Sequence, residues 1–180
     1  SMYDQHIASY LELMKIPYTG CNPRGLILAR GKDLSKTLVH HRRIAVPAFA
    51  VFPMRRKVKR PSRLALPLIV KSLSEDGSFG ISQASIVDTD EKLAERVAFV
   101  HDRIGTAAIA EQYIEGRELY VAVLGNNRLR ALPVWELKFG NLGGQGARQI
   151  ATEKAKHDPE YQERVGIVDG PADDLAPEVT

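Results

Sequence analysis

Lys71 closes a short apolar run, Leu68-Ile69-Val70, and a loop carrying Gly77, Ser78 and Gly80 follows it. A lysine ending a buried strand is costly to place unless its ammonium meets an anion or water. Two glycines in a short loop let the backbone turn inward and offer N–H groups to phosphate oxygens. Ser78 adds a hydroxyl donor and Lys71 a point charge, which together form a kit for gripping a polyphosphate. The order departs from the G-x-x-x-x-G-K-[ST] loop because the lysine precedes the glycines, and G-x-G-x-x-G is absent. Taken alone, the segment also reads as a simple hairpin turn.

A second constellation lies downstream. An apolar strand runs into Glu111, Gln112, Tyr113 and Ile114, turns at Glu115-Gly116, and resumes at Glu118. A strand edge at Gln112–Ile114 would leave N–H and C=O groups to read an adenine edge, with Tyr113 or Ile114 covering its face. Glu118 can accept hydrogen bonds from ribose hydroxyls, as acidic residues do in other nucleotide sites. The bland reading of Glu118 is an edge-strand carboxylate in solvent.

Taken together, these residues resemble the ATP-grasp superfamily, and within it the D-alanine–D-alanine ligase branch. The likeness rests on Pro67–Lys71, the small-residue loop Ser72–Gly80, and Glu111 paired with Glu118. Upstream it continues through Ile16-Pro17-Tyr18-Thr19-Gly20, the helix start Gly31–Lys36, and Ile44-Ala45-Val46-Pro47. It extends from about Ile7 to Tyr161.

The resemblance implies ATP held by Lys32, Lys71, Ser78, Glu111, Gln112, Tyr113, Ile114 and Glu118. It implies Mg2+ bridging the phosphates, with metal ligands outside this chain. The implied chemistry is acyl-phosphate ligation of an amino-acid carboxylate to an amine, in which the protein places groups and neutralises charge. Ala151–His157 is similar to the family's alanine-lysine-tyrosine segment, which assigns Lys156 to the transferring phosphate, with Lys154 as the alternative. His157 stands where the substrate-ordering tyrosine is usual. Ser72 replaces the usual proline after the lysine, and Asp76-Gly77 replaces glycine-serine. Asp76 brings a negative charge that is tolerable only if it points outward or meets a cation. The glycine-rich stretch Lys138–Arg148 corresponds to the family's mobile cover, or is a surface loop without a role.

Composition sets the frame. The 180 residues suffice for one sizeable core or two small lobes. The resemblance therefore implies part of a larger ligase: residues 1–30 as the tail of a preceding domain, 31–110 as the small ATP-grasp subdomain, and 111–180 as the start of a truncated larger one. On this expectation Ser1-Met2 is a tag junction, the chain alone is inactive, and the intact protein admits a homodimer. Hydrophobic residues at 44% and charged residues at 26% are ordinary for a globular domain. The apolar stretch Ile44–Met54 is interrupted by Pro47 and Pro53 and is too short to span a bilayer. Cys21 is the one cysteine, which excludes an internal disulfide and suits a cytoplasmic location. It reads as a small structural residue rather than a reactive thiol.

The net charge of +3 comes mostly from Arg55, Arg56, Lys57, Lys59, Arg60 and Arg63. This window raises the alternative of a nucleic-acid-binding module without ligase activity. It holds no aromatic residue to stack on bases, so a solvated loop is the preferred reading.

The elements that must position these residues alternate along the chain. Ile7, Tyr10, Leu11 and Met14 fall at helical spacing before Pro17. Asp33 is placed to cap a helix carrying Leu34, Leu38 and His41 on one face. Strands are expected at Ala48–Phe52, Leu66–Lys71 and near Ala84–Val87. Asp88-Thr89-Asp90 offers caps for a helix with Leu93, Val97, Val100 and Ile104 on its buried stripe. Strands Ala107–Gln112, Glu118–Leu124 and Leu129–Trp135 follow, the last two joined at Gly125-Asn126-Asn127. The expected fold class is α+β: an ATP-grasp-like lobe of mostly antiparallel strands packed against helices, with an incomplete second lobe.

Overall fold

The structure is a computed structural model that describes residues 3–140, 148 and 150–176. The chain divides into two compact units, Ser1–Ile114 and Glu115–Thr180.

The first unit opens with three helices, α1 (Asp4–Leu13), α2 (Pro23–Arg30) and α3 (Lys32–His41). Strands β1 (Phe49–Phe52), β2 (Leu68–Ser72), β3 (Ile86–Val87) and β4 (Ala108–Gln112) form one sheet in the order β1-β4-β2-β3, antiparallel throughout. Helix α4 (Asp90–Phe99) joins β3 to β4 and continues through a π-helical turn, Val100–Ile104, to Gly105.

Alternation along the strands gives the sheet two faces. Ala50, Phe52, Leu68, Val70, Ala108 and Ala110 pack with Leu93, Val97 and Val100 of the α4 segment to form the core. Each Leu or Val fully buried there contributes about 1.5–3 kcal/mol. The register places Lys71 opposite Ile109 and Glu111 opposite both Ile69 and Phe49, which puts these residues on the other face. Helix α4 starts where the sequence offered caps: the Thr89 hydroxyl accepts the Lys92 N–H at 3.2 Å. Asp90 and Glu91 in its first turn favour the positive helix end.

Two local expectations change. Asp33 is not the cap of α3; Gly31 is, and its carbonyl accepts the Ser35 N–H at 2.8 Å. Asp33 sits inside the first turn and accepts the Leu34 N–H at 2.8 Å. At this earlier start the Lys32 N–H meets the carbonyl of Leu73, at 3.4 Å. Helix α2 was not anticipated, although Asn22-Pro23 is a start signal: Asn22 accepts the Gly25 N–H at 2.8 Å and Pro23 occupies the first turn. Cys21 is exposed, and a Cβ on Gly25 would lie 2.1 Å from its sulfur, so glycine is what the approach permits.

The second unit holds β5 (Glu118–Tyr120), β6 (Val123–Leu124), β7 (Arg130–Ala131), β8 (Trp135–Lys138), α5 (Glu153–His157), α6 (Pro159–Val165) and β9 (Val168–Pro171). Its sheets are β5-β8-β9 and the hairpin β6-β7, again antiparallel. The two strands expected between Glu118 and Trp135 are each broken in two. Pro133 has no N–H to donate to a ladder, so the inner halves pair as a hairpin and the outer halves as a sheet. Ala155, Val165 and Ile167 form a small core with Leu137, Phe139 and Tyr161. Arg117 grips Glu136 through two bonds of 2.7 and 2.6 Å and donates to the Asp173 carbonyl at 2.7 Å, tying β5, β8 and the tail together. Gly143, Gly144 and Gly146 of the expected cover lie outside the described residues. Among the described residues, no helix is long and apolar enough to cross a membrane.

Candidate functional site

The sheet face away from the core carries a cluster of charge. Lys71 Nζ meets Glu111 Oε1, and Lys36 Nζ lies 2.6 Å from Glu111 Oε2. Lys71 arrives from β2, Glu111 from the adjacent central strand, and Lys36 from α3, with its ammonium 5.9 Å from the centroid of the Phe49 ring. The Glu111 side chain is only 7% exposed. Burial pushes its carboxyl pKa up, but the opposing pull of Lys71 and Lys36 outweighs burial and holds the group below the usual carboxylate range. Two ammonium groups on one carboxylate leave one positive charge over, and an anion of the right size would balance it.

The loop after β2 is built from its own side chains. Ser72 is buried, and its Oγ accepts the N–H groups of Ser74 at 3.3 Å and Glu75 at 2.9 Å and bonds Thr106 Oγ1 at 2.8 Å. Where the resemblance implies a proline, Ser72 fixes the chain by hydrogen bonds. Lys32 Nζ donates to the Glu75 carbonyl at 2.6 Å and to Asp76 Oδ1 at 3.3 Å. Asp76 therefore points outward, with its side chain 61% exposed, and also meets a cation. Gly77, Ser78 and Gly80 have φ of +66°, +61° and +70°, so the loop winds through the left-handed region before the Ile81 N–H returns to the Ser78 carbonyl at 2.8 Å.

Beyond Glu111 the strand stays engaged. The Gln112 N–H donates to the Ala48 carbonyl at 2.9 Å and the Tyr113 N–H to that of Pro67 at 3.0 Å. Those two amides serve the fold, whereas the side chains of Gln112 and Ile114 are exposed. In the second unit Glu118 accepts the Tyr120 hydroxyl, and Lys156 Nζ lies 5.9 Å from the centroid of the Tyr120 ring. Burial first, and then the bond to Glu118, raise the Tyr120 pKa.

The structure thus gathers Lys71 and Glu111, sets Lys32 against the loop that contains Ser78, and gathers Glu118 with Lys156 around Tyr120. Lys36 joins this cluster although its sequence position alone does not mark it as a site residue. It stands one helical turn from Lys32, on the same side of α3, which was the available signal. Among the described residues, no group of three or more His, Cys, Asp or Glu is placed to hold a metal ion.

The family described as D-ala D-ala ligase C-terminus matches residues 38–142, more than half of the chain. The chain belongs to this family. Lys71, Ser78, Glu111 and Glu118 fall within the match of the D-Ala–D-Ala ligase C-terminal family, whereas Lys32, Lys36 and Lys156 lie outside it. An uncharacterized protein of Sinorhizobium fredii is 36% identical over 135 residues, which is 75% of this chain and 39% of that protein. A D-alanine–D-alanine ligase of Desulfotalea psychrophila is 37% identical over 141 residues, 77% of this chain and 43% of that protein. The crystal structure of the Bacillus anthracis D-alanine–D-alanine ligase complexed with ATP shares the fold, with a TM-score of 0.68 at 19% identity over 98% of this chain and 50% of that one. The chain spans about two-fifths of the length of the curated relatives it matches. The ATP-grasp, D-Ala–D-Ala ligase-like reading of the sequence and its α+β class therefore stand, and nothing in these likenesses supports the nucleic-acid alternative.

Proposed function

We propose that the parent protein is an ATP-dependent carboxylate–amine ligase acting through an acyl phosphate, D-alanine–D-alanine ligase-like, and that Lys71 and Lys36 grip the nucleotide phosphates. The observation that carries this reading is the pair of lysines converging on one buried carboxylate. Glu111 holds both ammonium groups at a fixed place, so little reorganisation is needed when an anion arrives. The surplus positive charge and the left-handed loop fit a phosphate chain, which would bring the negative charge for this site's chemistry.

Within this reading Lys32 fixes the loop through Glu75 and Asp76, and Ser78 donates its hydroxyl. Gln112, Tyr113 and Ile114 are assigned to adenine through groups other than the engaged Gln112 and Tyr113 amides, Glu118 to ribose, and Lys156 to the transferred phosphate. The approach of Lys156 to Tyr120 favours it over Lys154. The described residues do not fit a magnesium centre, so no step is assigned to the metal. An amino acid and an amine are the proposed substrates, and the cytoplasm the proposed location. Because the chain spans about two-fifths of its relatives, we assign it nucleotide binding and no turnover of its own. Amino-acid-dependent phosphate release by the 180-residue chain would overturn that last point.

Calorimetric titration of the chain with ATP tests the central claim. Lys71→Ala and Lys36→Ala should each weaken ATP by about 1.5–3 kcal/mol, the range for a hydrogen bond to a charged group. Unchanged affinity in both variants, with melting curves showing that they fold, would remove the lysine pair from the site.

A further inference from the structure

Arg96 lies on the buried side of α4, yet among the described residues no carboxylate pairs with it. Its Nη2 donates to the carbonyl of Gly80 and, at 2.7 Å, to Ser85 Oγ. Its guanidinium carbon lies 4.2 Å from the centroid of the Phe99 ring, and its Nε is buried without a hydrogen-bond partner. A cation buried without a counter-charge is expensive, and an aliphatic side chain would fill the same volume at lower cost. What an aliphatic side chain would not supply is a donor on a rigid planar group, here Nη2, reaching both Ser85 and Gly80.

Gly80 closes the glycine loop. Its φ of +70° is left-handed, and a Cβ there would come within 2.7 Å of Ile104 Cδ1, so the loop end is packed as well as bonded. The loop is therefore held at two ends by different side chains: Ser72 at its entrance, through Ser74 and Glu75, and Arg96 at its exit, through Gly80. We propose that Arg96 is a positioning residue for the phosphate grip, one that fixes the exit of the loop through the Gly80 carbonyl without touching the nucleotide. This inference rests on reading the loop as a phosphate cradle.

The test uses the 180-residue chain with Arg96→Met and Arg96→Lys, amide hydrogen exchange, and titration with ATP and with adenosine. In Arg96→Met the amide of Phe79, bonded to the Asp76 carbonyl at 3.2 Å, and that of Ile81 should exchange at least about tenfold faster, while those of Ser74 and Glu75 keep their rates. ATP should weaken about tenfold and adenosine less than about twofold, because only the phosphates meet the loop. Arg96→Lys, which keeps the charge on a shorter, flexible stem without the planar guanidinium, should fall between. Unchanged exchange at Phe79 and Ile81, or equal losses for ATP and adenosine, would overturn the proposal. Should Arg96→Met fail to fold, Arg96→Lys and Ser85→Ala carry the same test, and loop-exit exchange at the wild-type rate in both would overturn it. A wild-type chain that binds neither ATP nor adenosine would sink the nucleotide reading, and the exchange comparison would still judge the Arg96 anchor.

Discussion

Lys36 and Glu111 meet at 2.6 Å although one stands in an N-terminal helix and the other in a central strand, so the buried carboxylate answers to two lysines rather than one. Its pKa is held below the ordinary range, and the sign follows from that direction. The pair's contribution is present above the unfolded glutamate value of about 4.3 and is lost as pH falls through the folded value. Glu111→Gln should cost about 1.5–3 kcal/mol at neutral pH. That difference should begin to shrink below about pH 4.3, where the unfolded glutamate takes up its proton, and vanish only below the folded value, where Glu111 is protonated in both states. Urea melts of both proteins from pH 7 to pH 3 check it; a constant difference across that range would refute the charge argument.

The basic loop and the lysine pair make opposite forecasts. Replacing Arg55, Arg56 and Lys57 with glutamine should leave ATP affinity within about threefold, because exposed charges contribute little. Arg60 is left out of that set because it holds Asp90 at 2.5 Å and the Leu64 carbonyl at 2.6 Å. Salt-sensitive RNA or DNA binding that disappears with these three residues would revive the nucleic-acid reading.

Ser72→Ala removes the acceptor for Ser74 and Glu75 and the partner of Thr106. Leaving buried polar groups unpaired should destabilise the first unit by about 1–3 kcal/mol. The bonded amides of Ser74 and Glu75 should lose protection in hydrogen exchange. A variant as stable as the parent, with both amides still protected, would mean that the backbone alone holds the turn.

Glu118 has a prediction in each of two experiments. In the intact protein Glu118→Ala should weaken ATP by about 1–2 kcal/mol, and an unchanged affinity would remove it from the ribose site. Its bond to Tyr120 is tested by ultraviolet titration. The Tyr120 phenol should stay protonated above pH 10, so its stabilising effect is present below the unfolded value of about 10 and is lost as pH climbs through the folded one. Tyr120→Phe should remove a late-titrating phenol from the absorbance curve. A curve that loses an ordinary phenol instead would contradict the bond between Tyr120 and Glu118.

The sequence disclosed what short-range physics controls. Leu68, Val70, Leu93, Val97 and Val100 announced their burial by spacing, and Thr89 announced the start of α4, because periodicity and caps are local. Lys71 and Glu111 were legible through their motif. Lys36 was not chosen, since its role depends on a helix docking beside a strand remote in the chain. The second unit was harder. Its strands are short, and Pro133 decides where pairing stops, which residue preference alone does not reveal. The short α5 and α6 depend on Thr152 and Asp158, caps that become decisive only once Ala155 and Val165 have a core to enter.

The register that sets Lys71 opposite Ile109 has a consequence for how the chain reaches its working state. Side chains alternate along a strand, so pairing displaced by one residue would exchange the two faces of β2. Leu68 and Val70 would then point away from the core, and Lys71 would be driven into it. Displaced pairing would thus take the lysine away from Glu111 and, on the proposed reading, leave the phosphates without their grip. A one-residue insertion between Pro67 and Lys71 should disturb core packing and the proposed phosphate grip together, whereas the same insertion among Arg55, Arg56 and Lys57 would fall in exposed loop and spare both.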